Sequence, residues 1–191
     1  MPVKPKPAKA TVRLTAVDES TNADAAAVFA QIKQTRGNVS HVLRSLGHAP
    51  AGLRAFAGYG EYVRYRTTLS GRVRELAILA LARGNQYAWT HHAPFALKEG
   101  VTQEELDRLN AGTLASTLSA SERAAIDYAR EFALGGNVSD ATFAQLRREF
   151  DERGITDLTL LCGYFIALAS VINALRIELE PDRKPMMKPV S

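Results

Sequence analysis

Residues 69–82 read LSGRVRELAILALA, and this stretch decides the fold class. Ser70 is a good helix N-cap, and every residue from Leu76 to Ala82 is apolar. A helix opening at Ser70 and running over 72–83 must therefore be buried on most of its sides. Sustained period-two alternation is absent from the chain, and helix signals surround this segment on both sides.

Downstream, 85–98 predicts a further helix, ended by Gly100. Thr102-Gln103-Glu104-Glu105 and Ser119-Ala120-Ser121-Glu122 each form a capping-box pattern, the first opening a short helix and the second one that runs to about Leu134. Ser139-Asp140 opens a helix with Phe143, Leu146 and Phe150 on one face, and Gly154 is expected to stop it. The last helix is expected from Asp157 to about Arg176. It carries small residues (Thr159, Gly163, Ser170, Ala174), which suit a central or subunit-interface helix. Upstream, Asn22 to Arg36, Val39 to Leu46 and Pro50 to Arg66 read as helices, the third weakened by Gly58 and Gly60. The expectation is an all-α, compact bundle of about eight helices, as one domain over 13–180 between basic tails at 1–12 and 181–191.

The chain has 191 residues, enough to bury a core without staples, and one cysteine, Cys162. That thiol lies in an apolar run, which favours an inert, buried group. Net charge is +4, but residues 1–9 carry +3 and 181–191 carry +2, so the body from 10 to 180 carries about −1. A nucleic-acid module would instead gather its basic residues on a folded face, so no nucleic acid partner is expected. The tails read as flexible and solubilising. Residues 1–9 have no apolar core of a secretory signal. The apolar stretch 158–175 is broken by Thr159, Gly163, Tyr164, Ser170 and Asn173 and reads as a core helix rather than a membrane span. A cytoplasmic protein is expected. No phosphate loop, dinucleotide glycine motif or nucleophile elbow occurs.

Two segments could carry chemistry. Glu75 sits where its helix turns fully apolar, and a buried carboxylate must be paired, hydrogen-bonded or protonated. Pairing with Arg72 or Arg74, or the positive end of its own helix, accounts for it more readily than catalysis does. The second segment, residues 85–97, holds the single Trp and two of the four His. On a helix Ala88, Trp89, His92 and Ala96 share a face, while His91 points about 100° away beside Tyr87. One histidine should therefore face inward, either as a satisfied core residue or as a working imidazole. Adjacent histidines cannot ligate one ion from the same face, and no metal is expected.

Together these segments resemble the carboxymuconolactone decarboxylase family, which includes the alkyl hydroperoxidase D-type proteins. The match is Leu69-Ser70, Arg72, Arg74-Glu75 and the following apolar run. It continues through Gln86-Tyr87, Trp89, His92, Ala96 and Gly100-Val101 to a final-helix segment from Gly163-Tyr164 to Asn173-Ala174. It covers roughly residues 40 to 181. The resemblance implies an alkyl hydroperoxidase D-like all-α fold assembled as a homo-oligomer, a trimer or hexamer, acting on a small molecule. In the peroxidase branch two cysteines precede the histidine. Counted back from His92, they fall on Asn85 and Ala88, so a thiol peroxidase cycle is excluded. The decarboxylase branch often has Glu where this chain has Ala88, and carries two more residues between the Glu75 helix and the Tyr87 motif.

What the resemblance implies is a lyase (decarboxylase) or isomerase without cofactors, for a small carboxylated lactone or β-keto acid. His92 would be its general acid or base, and Glu75 would orient the ring or relay the proton. Tyr87, Trp89 and His91 would wall the substrate pocket and Arg72 would hold a carboxylate. The other reading is a degenerate member kept for ligand binding or assembly.

Overall fold

The computed structural model describes residues 12–189, so the tail expected over 1–12 falls almost wholly outside the described residues. The described residues form nine α-helices and no strand. These are α1 (Ala23–Arg36), α2 (His41–Ser45, followed by a 3₁₀ turn at Leu46–His48) and α3 (Pro50–Tyr65). Then come α4 (Gly71–Leu81), α5 (Gln86–Lys98) and α6 (Gln103–Asn110), and last α7 (Ala120–Ala133), α8 (Asp140–Glu149) and α9 (Glu152–Leu175).

Helix starts follow the capping residues. Asn22, Ser70, Asn85, Thr102, Ser119, Ser139 and Asp151 each accept a backbone N–H through their side chains, and both capping boxes form. The α8–α9 break differs from expectation. Phe150 is extended and Asp151 caps α9 by accepting the Gly154 N–H at 2.7 Å, so Gly154 lies in the first turn of α9 rather than ending α8. A carboxylate at the N-cap outcompetes a glycine stop because it satisfies an orphan donor and meets the positive helix end.

α4 is the centre of the bundle. Leu76, Ala77, Ile78 and Leu79 are fully buried, and α4 packs against α5, α6, α7 and α9. The apolar residues divide into two clusters. The larger is built around α4 with α5–α9. The smaller joins α1, α2 and the start of α3 to Tyr87, Ile172 and Ile177. α3 and α9 belong to both, since Phe56 and Leu168 pack against each cluster. α9 is long and apolar enough to cross a membrane by length and composition. Here it packs against α3, α4, α7 and α8, and turns Leu160, Ala167, Ser170 and Ala174 outward.

Residues 181–189, expected as a flexible tail, run back over the body. The Met186 N–H donates to Thr90 Oγ1 (3.1 Å), Asn110 Nδ2 donates to the Lys188 carbonyl (2.8 Å), and Lys188 Nζ meets Asp107 (2.6 Å). Backbone hydrogen bonds with buried Thr90 and Asn110 hold the segment, and composition alone carries no trace of them.

The two α3 glycines are not equivalent. A Cβ at Gly60 would overlap the hydroxyl and ring of Tyr164, whereas one at Gly58 meets nothing within 4 Å. Gly58→Ala is expected to stabilise the chain by about 0.5–1 kcal/mol through helix propensity. Gly60→Ala is expected to destabilise it by roughly 1–3 kcal/mol by overpacking, although both substitutions favour the helix. Urea unfolding of the two variants measures the difference, and equal effects would contradict the close approach of α3 to α9.

Candidate active site

His92 and Glu75 meet. α4 carries Glu75 one turn past its cap, and α5 lies alongside with His92 facing it. His92 Nδ1 is 2.8 Å from Glu75 Oε2, with side chains 5% and 4% exposed. Glu75 Oε1 accepts from Arg74 Nε at 3.3 Å. Burial works to raise the Glu75 carboxyl, but His92, Arg74 and Arg64 outweigh it and hold the group below its ordinary range. Burial lowers the His92 imidazole below its ordinary range against the pull of Glu75. The pair is therefore an ionised carboxylate and a neutral ring. An ionised carboxylate can only accept, so Nδ1 carries the proton and Nε2 the lone pair. Nε2 has no hydrogen-bond partner among the described residues, and the ring packs perpendicular to that of Phe165, with centroids 4.9 Å apart.

His92 lines a cavity of about 50 Å³ at the seam between the two apolar clusters. Val42, Tyr87, Ala88, Phe165 and Ile172 form much of its wall. It adjoins an outer, solvent-facing cavity of about 270 Å³ edged by Asn38, Tyr65, Phe95 and Arg183, and six residues line both. The inner space admits a few water molecules or the slim end of a ligand.

Tyr87 and His91 also lie on the cavity wall, with rings stacked 4.5 Å apart as their i, i+4 spacing requires. His91 Nε2 is 2.8 Å from Glu180 Oε2, and the Tyr87 hydroxyl donates to Glu180 Oε1 at 2.9 Å. The His41 N–H also donates to Oε1, at 2.9 Å. Although burial alone would raise the Glu180 carboxyl, His91 and the His41 N–H hold it far below its usual range. Burial and Glu180 both push the Tyr87 phenol up. Glu180 is thus a site residue that sequence reasoning missed. It lies 89 positions from His91, in the segment after α9, with no local signal.

Two expected site residues are elsewhere. Trp89 is 3% exposed inside the larger cluster and does not line the cavity. Arg72, expected to hold a carboxylate, already holds two. Its Nε donates to Glu122 (2.6 Å), its Nη2 donates to Glu105 (3.2 Å), and its Nη1 donates to the Gly100 carbonyl. Glu105 and Glu122 are the capping-box residues of α6 and α7, so Arg72 clamps two helix starts to α4. It is unavailable to a substrate. The arginines that do line the cavity are Arg36 and Arg64.

The positions aligned with the peroxidase cysteines have other work. Asn85 caps α5 and the Ala88 side chain forms part of the cavity wall. Cys162 is fully buried, and burial pushes its thiol up to about 12. Among the described residues no three His, Cys, Asp or Glu side chains gather in a way that could hold a metal.

A family model described as "Carboxymuconolactone decarboxylase family" matches residues 50–131, which run from the start of α3 into α7 and include Glu75, Tyr87 and His92. Solved structures share the fold. An uncharacterised peroxidase-related protein from Ralstonia eutropha, described as an alkylhydroperoxidase AhpD core, is 20% identical. The match has a TM-score of 0.76 and covers 94% of this chain and 100% of that one. A peroxidase-related protein from Silicibacter sp. is 20% identical with a TM-score of 0.72, over 94% of this chain and 96% of that one. The debrominase Bmp8, solved with 2,3,4-tribromopyrrole, is 16% identical with a TM-score of 0.75, over 88% and 91%. No curated protein gives a significant sequence match. Residues 50–131, with the Glu75 and His92 segments, are thus similar to the carboxymuconolactone decarboxylase family, and the chain shares the fold of the alkylhydroperoxidase-like structures.

Proposed function

We propose that this protein is a lyase or isomerase, working without a cofactor on a small carboxylated lactone or β-keto acid, with His92 as its proton-transfer group. The observation that carries the reading is the buried His92–Glu75 pair, whose unpaired Nε2 belongs to a cavity-lining ring. A neutral imidazole with its proton fixed on Nδ1 is a base at Nε2. In the first step Nε2 takes a proton from the carbon beside a carbonyl. The C–H bond breaks, the N–H bond forms, and the electron pair moves onto the carbonyl oxygen as an enolate. Glu75 stabilises the imidazolium that results, as an ionised partner across a desolvated hydrogen bond. Return of the proton to a different carbon is an isomerisation. In a lyase no first proton is taken: the C–C bond to the carboxylate breaks, its electron pair moves onto the carbonyl oxygen as carbon dioxide departs, and the enolate carbon takes a proton that His92 picks up from solvent at Nε2.

Burial sets the pH dependence. Because His92 is held below its ordinary range, the base form persists through neutral pH. Activity is expected to fall on acidification through a single protonation below about 6.5. The same groups act on stability with the same sign. Both folded pKa values are depressed. Their contributions are complete above the unfolded values and are lost as pH falls through the folded ones. The kcat/KM profile of wild type beside His92→Asn on a panel of lactones and β-keto acids tests the proposal. An acid limb that survives the substitution removes His92 from the chemistry.

The narrow inner cavity of about 50 Å³ favours the second reading, a ligand-binding member that no longer turns over. Tight binding of a panel compound with no solvent-deuterium exchange into it would select that reading.

A further inference from the structure

The two cavities at the site carry a charge pattern that the proton-transfer pair does not use. No Asp or Glu lines either of them, while Arg36, Arg64 and His91 line both and Arg183 edges the outer one. Glu75 and Glu180 stand behind the histidines and are already engaged. Three of these four side chains have partners. Arg36 Nη2 donates to the Ala57 carbonyl at 3.2 Å, Arg183 Nε lies 3.7 Å from Glu180, and His91 is bound to Glu180.

Arg64 is different. It makes no hydrogen bond and no ion pair with any described residue. Its guanidinium lies over the Phe95 ring at 5.3 Å and the Tyr65 ring at 5.4 Å. Burial works against its charge, but an arginine stays protonated in proteins. An unpaired, partly desolvated guanidinium is costly unless something anionic meets it. Aromatic faces hold the plane of the group but leave its N–H edge free to make paired hydrogen bonds to a carboxylate. Residues 64, 36 and 91 mark where the inner and outer spaces join.

We infer that Arg64 is the anion anchor of this site, gripping the carboxylate of the substrate where the inner and outer cavities join while the slim reacting end extends toward His92. The role follows from availability, since Arg72 is committed to Glu105 and Glu122. The inference builds on the proton-transfer reading of the site. It selects monoanions with one or two atoms between the carbonyl carbon and the carboxylate, and with bulk confined to the outer space beside Phe95 and Tyr65.

The test uses the full chain and two probes of equal shape, 4-oxopentanoate and its neutral amide 4-oxopentanamide. Calorimetry gives the affinities, and NMR gives deuterium exchange beside the ketone. Wild type is expected to bind the acid roughly tenfold to a hundredfold tighter than the amide. Arg64→Gln should lose that preference and leave the amide unaffected, Arg64→Lys should restore part of it, and Arg36→Gln should keep it. Equal affinity of wild type for acid and amide overturns the inference without recourse to any variant, as does a preference that survives in Arg64→Gln. His92→Asn separates the two readings. If it keeps the acid preference but loses exchange, both stand. If it exchanges like wild type, the proton-transfer reading falls and the anchor remains.

Discussion

His92→Asn is expected to lower kcat by about 10²–10⁴-fold with KM changed little, the usual scale for loss of a general acid–base group. Asparagine is the informative substitution because its amide nitrogen can still donate toward Glu75, in the place of Nδ1. What disappears is Nε2, the ring nitrogen with no partner within the chain. A loss of this size with unchanged circular dichroism assigns the effect to chemistry, since the buried carboxylate keeps a donor. Glu75→Gln should cost less, because Arg74 and the surrounding helices still hold α4 in place and the ring loses only its ionised partner. A His92→Asn protein with kcat within about threefold of wild type would remove the enzyme reading and leave the fold and the anion site standing.

The largest effect on stability is expected at Asp157. This carboxylate is fully buried inside the second turn of α9. It accepts from the Tyr62 hydroxyl at 2.6 Å, the Thr68 N–H at 2.8 Å, Thr68 Oγ1 at 3.0 Å and Arg153 Nε at 3.1 Å. Burial alone would raise its pKa, but these donors outweigh it and keep the group ionised. Asp157→Ala strands a hydroxyl and a backbone N–H at a buried junction. The expected loss is roughly 3–5 kcal/mol, with the half-exposed Arg153 contributing little. In a chain of this size that lowers Tm by roughly 6–20 °C. Because the folded pKa is depressed, the Asp157 contribution is complete above the unfolded carboxyl value and fades as pH falls through the folded one. Wild type and Asp157→Ala should therefore converge in stability on acidification. A variant within about 1 kcal/mol of wild type at pH 7 would mean that solvent satisfies the stranded groups. The junction also matters for the site. Tyr62 and Thr68 flank Arg64, so the same carboxylate that holds the α3–α4 connection against α9 sets the position of the anion anchor.

Features that act within a few residues were legible before any coordinates. Each N-cap satisfies donors two or three positions on, so Asn22, Ser70, Thr102 and Ser119 announced their helices. The all-apolar run after Glu75 announced the buried central helix, and helical spacing put His91 beside Tyr87 and turned His92 inward.

Other features needed the folded chain. Arg72 and Arg64 lie eight residues apart and look interchangeable as carboxylate binders. One is consumed by the glutamates of two later helices, and the other is left facing a cavity. Asp157 looked like a helix start and is instead a buried junction. Glu180 becomes a partner of His91 and Tyr87 only because the chain returns past α9. The division has one physical origin. Helix formation and termination are governed by hydrogen bonds and periodicity over three or four residues, which a linear pattern records. Which charges are paired, which are desolvated, and where two apolar clusters fail to close over a cavity depend on groups brought together from 17 to nearly 100 residues apart, which only packing decides.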